Sequence, residues 1–400
     1  MIDFSLDSTQ KQFVGAAREF GREVLGPAEV ELDRRATSED IFKGERYWAV
    51  LKQAFELGFH KMNLPEHVGG LNLDPITTGL VWEELARWGV GYAASLIAGA
   101  VVPRMIAVFA PENKELMDRF VRPYCEENQP THISAWGSSE PNIGSDGKNY
   151  YDLKVHHASK AVKKAGGWVL SGTKSNFITN GGIAYSYVVF CCVDPAKGLR
   201  GSGTFVMPAD APGVTKSKPL DKIGMRTLNQ APVFFDEVEV PEGYMIFPPC
   251  DGYPMMHNTI VTVGNLGTGY LAVGLMRAAY EEALAYSKTR VQWGKPIFEH
   301  QLVAKKLHEI YTAIETARAF LWKGSWLSKT SFPGDLKTSL SAKVYATNQA
   351  AHHTAEMVQV LGGYGVSADY PLEKYMRDAP LLQIMDGTND TLQLKAAALL

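Results

Sequence analysis

Apolar residues in the first third of the chain recur at helical spacing. Phe13, Ala16 and Phe20 follow the period of a helix, which is predicted to stop at Gly26-Pro27. The same period predicts two further helices, over 49–57 and 77–88. Residues 1–128 are therefore predicted to form an N-terminal helical domain.

The middle of the chain has short runs of aromatic and β-branched residues that end at turn residues. Four such runs are predicted strands: 168–170, 184–192, 204–207 and 233–240. They do not alternate with helical patterns, and Gly144 belongs to no G-x-G-x-x-G segment, so a Rossmann domain is not expected. A β-barrel or sandwich is predicted over 129–246.

Helical periodicity returns after residue 246. Met276, Tyr280 and Leu284 form an apolar stripe, and long periodic segments follow over 300–327 and 338–361. A helical bundle is predicted over 247–400. The fold class is therefore α+β, in the order helices, β-domain, helices.

Composition excludes several kinds of partner. The chain has 400 residues, 46% hydrophobic and 21% charged, with a net charge of −3. Charges of both signs are dispersed, so neither nucleic acid nor an anionic membrane is expected as a partner. No uninterrupted apolar run looks long enough to span a bilayer, and residues 1–5 show no secretory signal. A cytoplasmic protein is expected.

The cysteines and histidines do not predict a metal site. The four cysteines include no C-x-x-C pair, and adjacent Cys191-Cys192 lie in an apolar run, which favours buried, reduced thiols. The pairs His156-His157 and His352-His353 are sequence neighbours, which face different directions on a strand or helix. No metal is expected.

A carboxylate before a Gly-Thr turn is the strongest chemical signal. Asp386 precedes Gly387-Thr388, and a glycine-rich segment, 362–365, lies shortly upstream. Asp followed by Gly-Thr-Asn also suits a helix N-cap. Asp386 is predicted to be a catalytic base beside a flat cofactor, and a capping role is compatible with that prediction.

Five segments follow one another in a distinctive order: 136–146, 172–182, 222–241, 290–301 and 359–390. Together they resemble the motifs of acyl-CoA dehydrogenases, which bind FAD, and the resemblance covers essentially the whole chain. It implies a helical N-terminal domain, a middle β-domain and a C-terminal four-helix bundle. The chain most resembles members with Asp in place of the usual Glu base.

The resemblance also implies a cofactor site. Phe177 stands where the family has a Trp that packs on the flavin, and Arg290 matches an Arg that binds the FAD pyrophosphate of a neighbouring subunit. Taken singly, these segments also fit a loop, a hairpin and an exposed basic turn. The FAD-binding residues implied are Trp136, Ser138, Ser139, Gly144, Ser145, Phe177, Thr179, Arg290, Gln292, Trp293, Gln359, Gly363, Thr388 and Asp390.

The resemblance implies α,β-dehydrogenation of an acyl-CoA thioester. Asp386 would take the α-proton, a hydride would pass from the β-carbon to flavin N5, and the main chain beside the base would polarise the thioester carbonyl. Ser145 and Gly387 would contact the substrate. An electron-transferring flavoprotein would accept the electrons, and a homotetramer is expected.

Three departures from the family pattern surround the predicted site. Asp386 is one methylene, about 1.5 Å, shorter than Glu. Gln393 stands where an Arg would tune the base, and Thr262 and Asn265 stand where an Asp-x-x-Arg pair contacts CoA. A bulky or alicyclic acyl group is therefore predicted. The alternatives are a flavin oxidase or monooxygenase acting on a non-CoA substrate, as nitroalkane oxidase does, and a non-enzymatic flavin-binding scaffold.

Overall fold

The computed structural model describes residues 5–400; residues 1–4, on which the expectation of no secretory signal partly depends, lie outside this range. The N-terminal part is helical, as predicted. Its helices are α1 (Ser8–Phe20), α2 (Gly26–Asp33), α3 (Ser38–Lys43), α4 (Glu45–Glu56), α5 (Pro75–Gly99), α6 (Val101–Phe109), α7 (Lys114–Leu116) and α8 (Arg122–Cys125).

The predicted stop at Gly26-Pro27 is wrong. A π-helical turn, Gly21–Leu25, joins α1 directly to α2, and the Gly26 N–H bonds to the Gly21 carbonyl. Pro27 then sits in the first turn of α2, where its missing N–H is tolerated. The wider turn lets the chain pass a proline without leaving the helix.

An eight-stranded sheet forms the middle part. Its strands are β1 (Ser134–Gly137), β2 (Lys160–Lys164), β3 (Gly167–Lys174), β4 (Ser186–Cys192), β5 (Ser202–Pro208), β6 (Val214–Lys216), β7 (Val233–Pro241) and β8 (Met245–Phe247). Neighbours run in the order β6-β7-β3-β2-β4-β5-β8, and β1 pairs in parallel with β4. Three of the four predicted runs lie within these strands, and the fourth, 184–192, begins two residues before β4.

One strand continues past its predicted end. Ser171-Gly172 reads as a turn in the sequence, but β3 runs on to Lys174 with a register shift between Leu170 and Gly172. Gly172 has φ +154°, and a Cβ there would approach Ser159 to 2.4 Å. The glycine therefore marks a β-bulge within the strand rather than its end.

The C-terminal part is a helical bundle with a small hairpin. Its elements are α9 (Tyr253–Thr289), β9 (Val291–Gln292), β10 (Lys295–Pro296), α10 (Gln301–Thr330), α11 (Leu336–Leu361), α12 (Leu372–Ile384) and α13 (Asn389–Ala397). These helices contain the predicted segments 300–327 and 338–361 almost entirely.

Two helical segments are long and apolar enough to cross a membrane, by length and composition alone. They are Pro75–Phe109 and Tyr253–Thr289. Their most apolar windows are 72% and 78% buried against the rest of the protein. Such burial is typical of core helices.

Buried charges join all three parts of the chain at α12. Lys374 on α12 donates to Glu29 on α2 at 2.9 Å and to Asp378 at 2.6 Å. Thr227, from the middle part, donates to Glu29 at 2.7 Å. These groups pair with one another, as buried charges must. They fix α12, which leads directly into the Asp386 turn.

Candidate active site

Asp386 lies in a strained turn between α12 and α13. Its φ is +57°, in the left-handed region that only a few residue types, Asp among them, adopt readily. Thr388, not Asp386, occupies the N-cap position of α13. The backbone N–H of Asp386 makes no hydrogen bond within residues 5–400. The structure therefore gives Asp386 no capping role and leaves a free donor beside its carboxylate.

Helix α9 shapes the space around the Asp386 carboxylate. A Cβ at Gly264 would lie only 2.4 Å from Asp386 Oδ2, so the carboxylate occupies the space that a side chain would need. Asn265 Nδ2 donates to the same oxygen at 3.1 Å and to the Val261 carbonyl at 2.9 Å. These contacts hold the carboxylate against α9.

Lys343 on α11 anchors the turn from beneath. Its ammonium is fully buried and donates to the carbonyls of Gln383 and Gly387 at 3.2 and 3.0 Å and to Asn389 Oδ1 at 2.8 Å. Burial lowers the pKa of Lys343 to about 7. Three acceptors nevertheless favour the ammonium, because a neutral amine could donate only two hydrogen bonds.

Replacing Lys343 is expected to destabilise the protein. Lys343→Met would remove the side-chain donor of the Gln383 and Gly387 carbonyls and leave Asn389 Oδ1 with the longer hydrogen bond from Thr347 Oγ1, at 3.3 Å. The expected cost is roughly 1–3 kcal/mol. The free energy of unfolding from denaturant titration measures this cost. Lys337→Met on the same helix is the matched control, since Lys337 is half-buried and its ammonium has no hydrogen-bond partner within residues 5–400. Equal stability of the two variants would contradict the anchoring role.

Asp386 combines solvent accessibility with desolvation. Its side chain keeps accessible surface, yet burial raises its pKa from 3.8 to about 6, against the opposing charges of Lys148 and Lys343. The carboxylate is flanked by Gly264 and Asn265 of α9. A carboxylate with a raised pKa in such a place is a stronger base than an exposed one.

The raised pKa predicts an acid limb in the pH profile. Asp386 accepts a proton only when ionised, so the rate of flavin reduction at limiting substrate should fall tenfold per pH unit below about 6. Stopped-flow measurements across pH determine the midpoint. A midpoint near 4, the ordinary range of an exposed carboxyl, would contradict the desolvated site.

Two predictions about charge near the base need correction. Gln393 stands where the family has an arginine, so that positive charge is missing. The charges of Lys148 and Lys343 act on Asp386 instead. Thr262 and Asn265 are buried, at 1% and 0% exposure, and Asn265 bonds to Asp386. Asn265 therefore positions the base, and neither residue offers an exposed contact to CoA.

One group of the predicted cofactor residues surrounds the Asp386 turn. Ser145 Oγ accepts from the Thr388 N–H at 3.1 Å, which joins the 136–146 loop to the turn. Trp136, Ser138 and Ser139 belong to the same 136–146 segment. The Ser139 carbonyl accepts from the Ser175 N–H at 3.0 Å, and Ser175 belongs to the segment that contains Phe177 and Thr179. Gly144, next to Ser145, and Asp390, two residues after Thr388, are both exposed. The 136–146 loop thus links the 172–182 segment to the base turn.

A second group lies at the other end of the bundle. Arg290, Gln292 and Trp293 are exposed at the β9–β10 hairpin, with the Arg290 guanidinium 5.8 Å from the Tyr364 ring. Gln359 and Gly363 are also exposed, at the end of α11. Since Arg290 follows Gly264 by 26 residues along α9, the two lie roughly 39 Å apart. One chain does not bring the two groups together.

The sequence reasoning missed Lys148, Lys343 and Gly264. Lys343 had a readable signal, because it falls on the apolar face of α11 with Leu340 and Thr347. Gly264 and Lys148 had none, since their roles depend on contacts across the chain. Among residues 5–400, no group of three or more His, Cys, Asp or Glu side chains could hold a metal.

Comparison with known proteins identifies the family. The chain matches the acyl-CoA dehydrogenase N-terminal domain over residues 7–128, the middle domain over 135–238 and the C-terminal domain over 251–399. A short-chain specific acyl-CoA dehydrogenase of Megasphaera elsdenii is 32% identical over 404 residues, covering 100% of both chains. The chain belongs to the acyl-CoA dehydrogenase family of FAD-dependent oxidoreductases.

Solved structures share the fold over the full length. Butyryl-CoA dehydrogenase from Megasphaera elsdenii is 30% identical, with a TM-score of 0.88 and coverage of 100% of this chain and 99% of that one. A chain described with the electron transferring flavoprotein of Acidaminococcus fermentans gives the same identity and TM-score, with 100% coverage of both. A nitroalkane oxidase mutant, 22% identical with a TM-score of 0.89 over 99% and 96% of the chains, shows the fold alone.

Proposed function

We propose that the protein dehydrogenates an acyl-CoA thioester at its α- and β-carbons, with Asp386 as the base. The observation that carries this proposal is a desolvated yet accessible carboxylate beside the free N–H of its own residue. The carboxylate takes the α-proton while the N–H donates to the thioester oxygen, where negative charge develops. Both groups belong to one residue, so they reach adjacent atoms of one substrate.

The exposed groups fit FAD. Phe177 is 63% exposed and offers an apolar face to a flavin ring, and Arg290 is free to pair with a diphosphate. We assign flavin contacts to the group around the Asp386 turn, including Ser139, Ser145 and Thr388. Bound FAD supplies a two-electron acceptor for the hydride that leaves the β-carbon.

The separation of the two residue groups supports a shared cofactor site in a homotetramer. Arg290 and Gln359 lie too far from the turn of their own chain to touch the same FAD, so they would serve a neighbouring subunit. Trp293 is 93% exposed and Val291 53% exposed at that end, as expected of a surface that a second chain covers. An electron-transferring flavoprotein is the proposed electron acceptor.

The proposed acyl group is bulky or alicyclic. Asp386 is held against α9 by Gly264 and Asn265, so the α-carbon has to approach α9 to meet it. Because the Asp386 side chain is short, it favours a substrate whose ring or branch brings the α-carbon close to the carboxylate. The expected order of preference is cyclic above branched and branched above linear acyl groups.

An anaerobic screen tests the function and the order of preference together. The FAD-loaded protein is mixed with linear, branched and cyclic acyl-CoAs while flavin absorbance is followed. Bleaching by at least one acyl-CoA, fastest with a cyclic one, is the expected result. No bleaching by any acyl-CoA would overturn the function, and fastest bleaching by a linear one would overturn only the preferred acyl group.

The burial of Thr262 and Asn265 favours one alternative, a flavin oxidase acting on a substrate without CoA, because the expected CoA contact is missing. The alternative predicts rapid peroxide formation in air with a nitroalkane and no response to any acyl-CoA. The same preparation, assayed in air and without oxygen, separates the two functions.

A further inference from the structure

Lys148 is the one amine near Asp386 whose donors are unused. Lys343 has three acceptors, and Lys395 donates to Asn258 at 2.7 Å and Tyr150 at 3.1 Å. Lys148 makes no hydrogen bond or direct ion pair within the described residues 5–400, and it is only partly buried. Its donors are therefore available to a bound ligand.

Lys148 lies directly over the residue that follows the base. A Cβ built on Gly387 would be 3.1 Å from both Cε and Nζ of Lys148. Lys148 ends a short 3₁₀ turn that starts at Ser145, and Ser145 accepts from the Thr388 N–H. The ammonium therefore lies against the residue that follows the base, close enough for the charges of Lys148 and Asp386 to act on each other.

We propose that Lys148 is a further catalytic residue, an ammonium donor to the oxyanion that forms when Asp386 removes the α-proton. This rests on the proposed function. In a thioester the α-carbon and carbonyl oxygen lie roughly 2.4 Å apart, so a donor to that oxygen has to sit beside the base. Lys148, which lies against Gly387, and the N–H of Asp386 itself are both donors beside the base.

The proton-transfer step balances within the site. The α-proton moves to the Asp386 carboxylate, the C–H electron pair becomes the carbon–carbon double bond of the enolate, and the carbonyl π pair moves onto oxygen. The new negative charge then faces Lys148. The surrounding charged and titratable groups include Asp386, Lys343, Lys395 and His257, and within residues 5–400 the carboxylate whose charge acts on Lys148 is that of Asp386.

Ionisation of a bound ligand tests the role without turnover. Acetoacetyl-CoA and nitroethane each lose an acidic proton to give an oxyanion, whose absorbance is followed across pH on the FAD-loaded protein. Lys148→Met should raise the pKa of either bound ligand by about two units, equivalent to a 10²-fold loss of oxyanion affinity. Lys148→Arg should restore about half of this shift, which a merely structural role would not produce.

Lys154→Met is the matched control, because it removes an exposed charge from the same segment. Equal ligand pKa values in wild type, Lys148→Met and Lys154→Met would overturn the role of Lys148. Weaker binding by Lys148→Met only of thioesters with a terminal carboxylate, with unchanged ionisation, would also overturn it. A Lys148-dependent shift for nitroethane but no binding of acetoacetyl-CoA would keep this role and overturn the acyl-CoA function.

Discussion

Asp386→Asn is expected to abolish flavin reduction by any acyl-CoA while the protein keeps its FAD. The amide has nearly the shape of the carboxylate but cannot accept the α-proton. A loss of about 10³-fold or more in the anaerobic reduction rate follows from the usual contribution of a positioned base. Flavin content, from absorbance of the purified protein, should match wild type.

Asp236→Asn is the control for this substitution. Asp236 is exposed on β7 and its side chain has no hydrogen bond or ion pair within residues 5–400. Its loss should leave the reduction rate unchanged. Asp386→Asn protein that binds FAD and is reduced at the wild-type rate would remove Asp386 from the mechanism.

The second large effect is expected from a methyl group on α9. Gly264→Ala would place a Cβ 2.4 Å from Asp386 Oδ2, and the carboxylate is the more mobile of the two. Displacing a base by about 1 Å costs on the order of 10²-fold in rate. Alanine also favours a helix interior by about 0.5–1 kcal/mol over glycine, so the fold should not lose stability.

This combination of a slower reaction and an intact fold is unusual and therefore diagnostic. Gly15→Ala on α1 is the control, because a Cβ there meets nothing within 4 Å. Both variants should keep their thermal midpoints, and only Gly264→Ala should lose rate. An active Gly264→Ala protein would show that the position of the carboxylate against α9 is unimportant.

Much of the fold could be predicted from periodicity, and its errors have local causes. The long segments of α10 and α11 carry an uninterrupted helical period, so they were predicted almost to their ends. Pro27 and Gly172 were taken as stops, yet a π-helical turn carries the helix past the proline and a bulge carries the strand past the glycine. A residue type alone does not distinguish an irregularity within an element from its end.

The base could be located from the sequence, but its surroundings could not. Asp386 stands in a recognisable Gly-Thr turn, whereas Gly264 and Asn265 come from a helix more than a hundred residues earlier. Their contacts exist because α9 packs beside the base turn. The loss of an arginine at Gln393 suggested an untuned base, yet the charges of Lys148 and Lys343, from two other elements, take its place.

Product analysis decides whether the protein carries out α,β-dehydrogenation with Asp386 as base. A cyclic acyl-CoA that bleaches the flavin is recovered after a single anaerobic turnover, and its mass is measured by mass spectrometry. We expect a 2-enoyl-CoA, two hydrogens lighter than the substrate, in an amount equal to the bleached flavin, and none from Asp386→Asn. Bleaching with unchanged substrate, or the same product from Asp386→Asn, would contradict this mechanism.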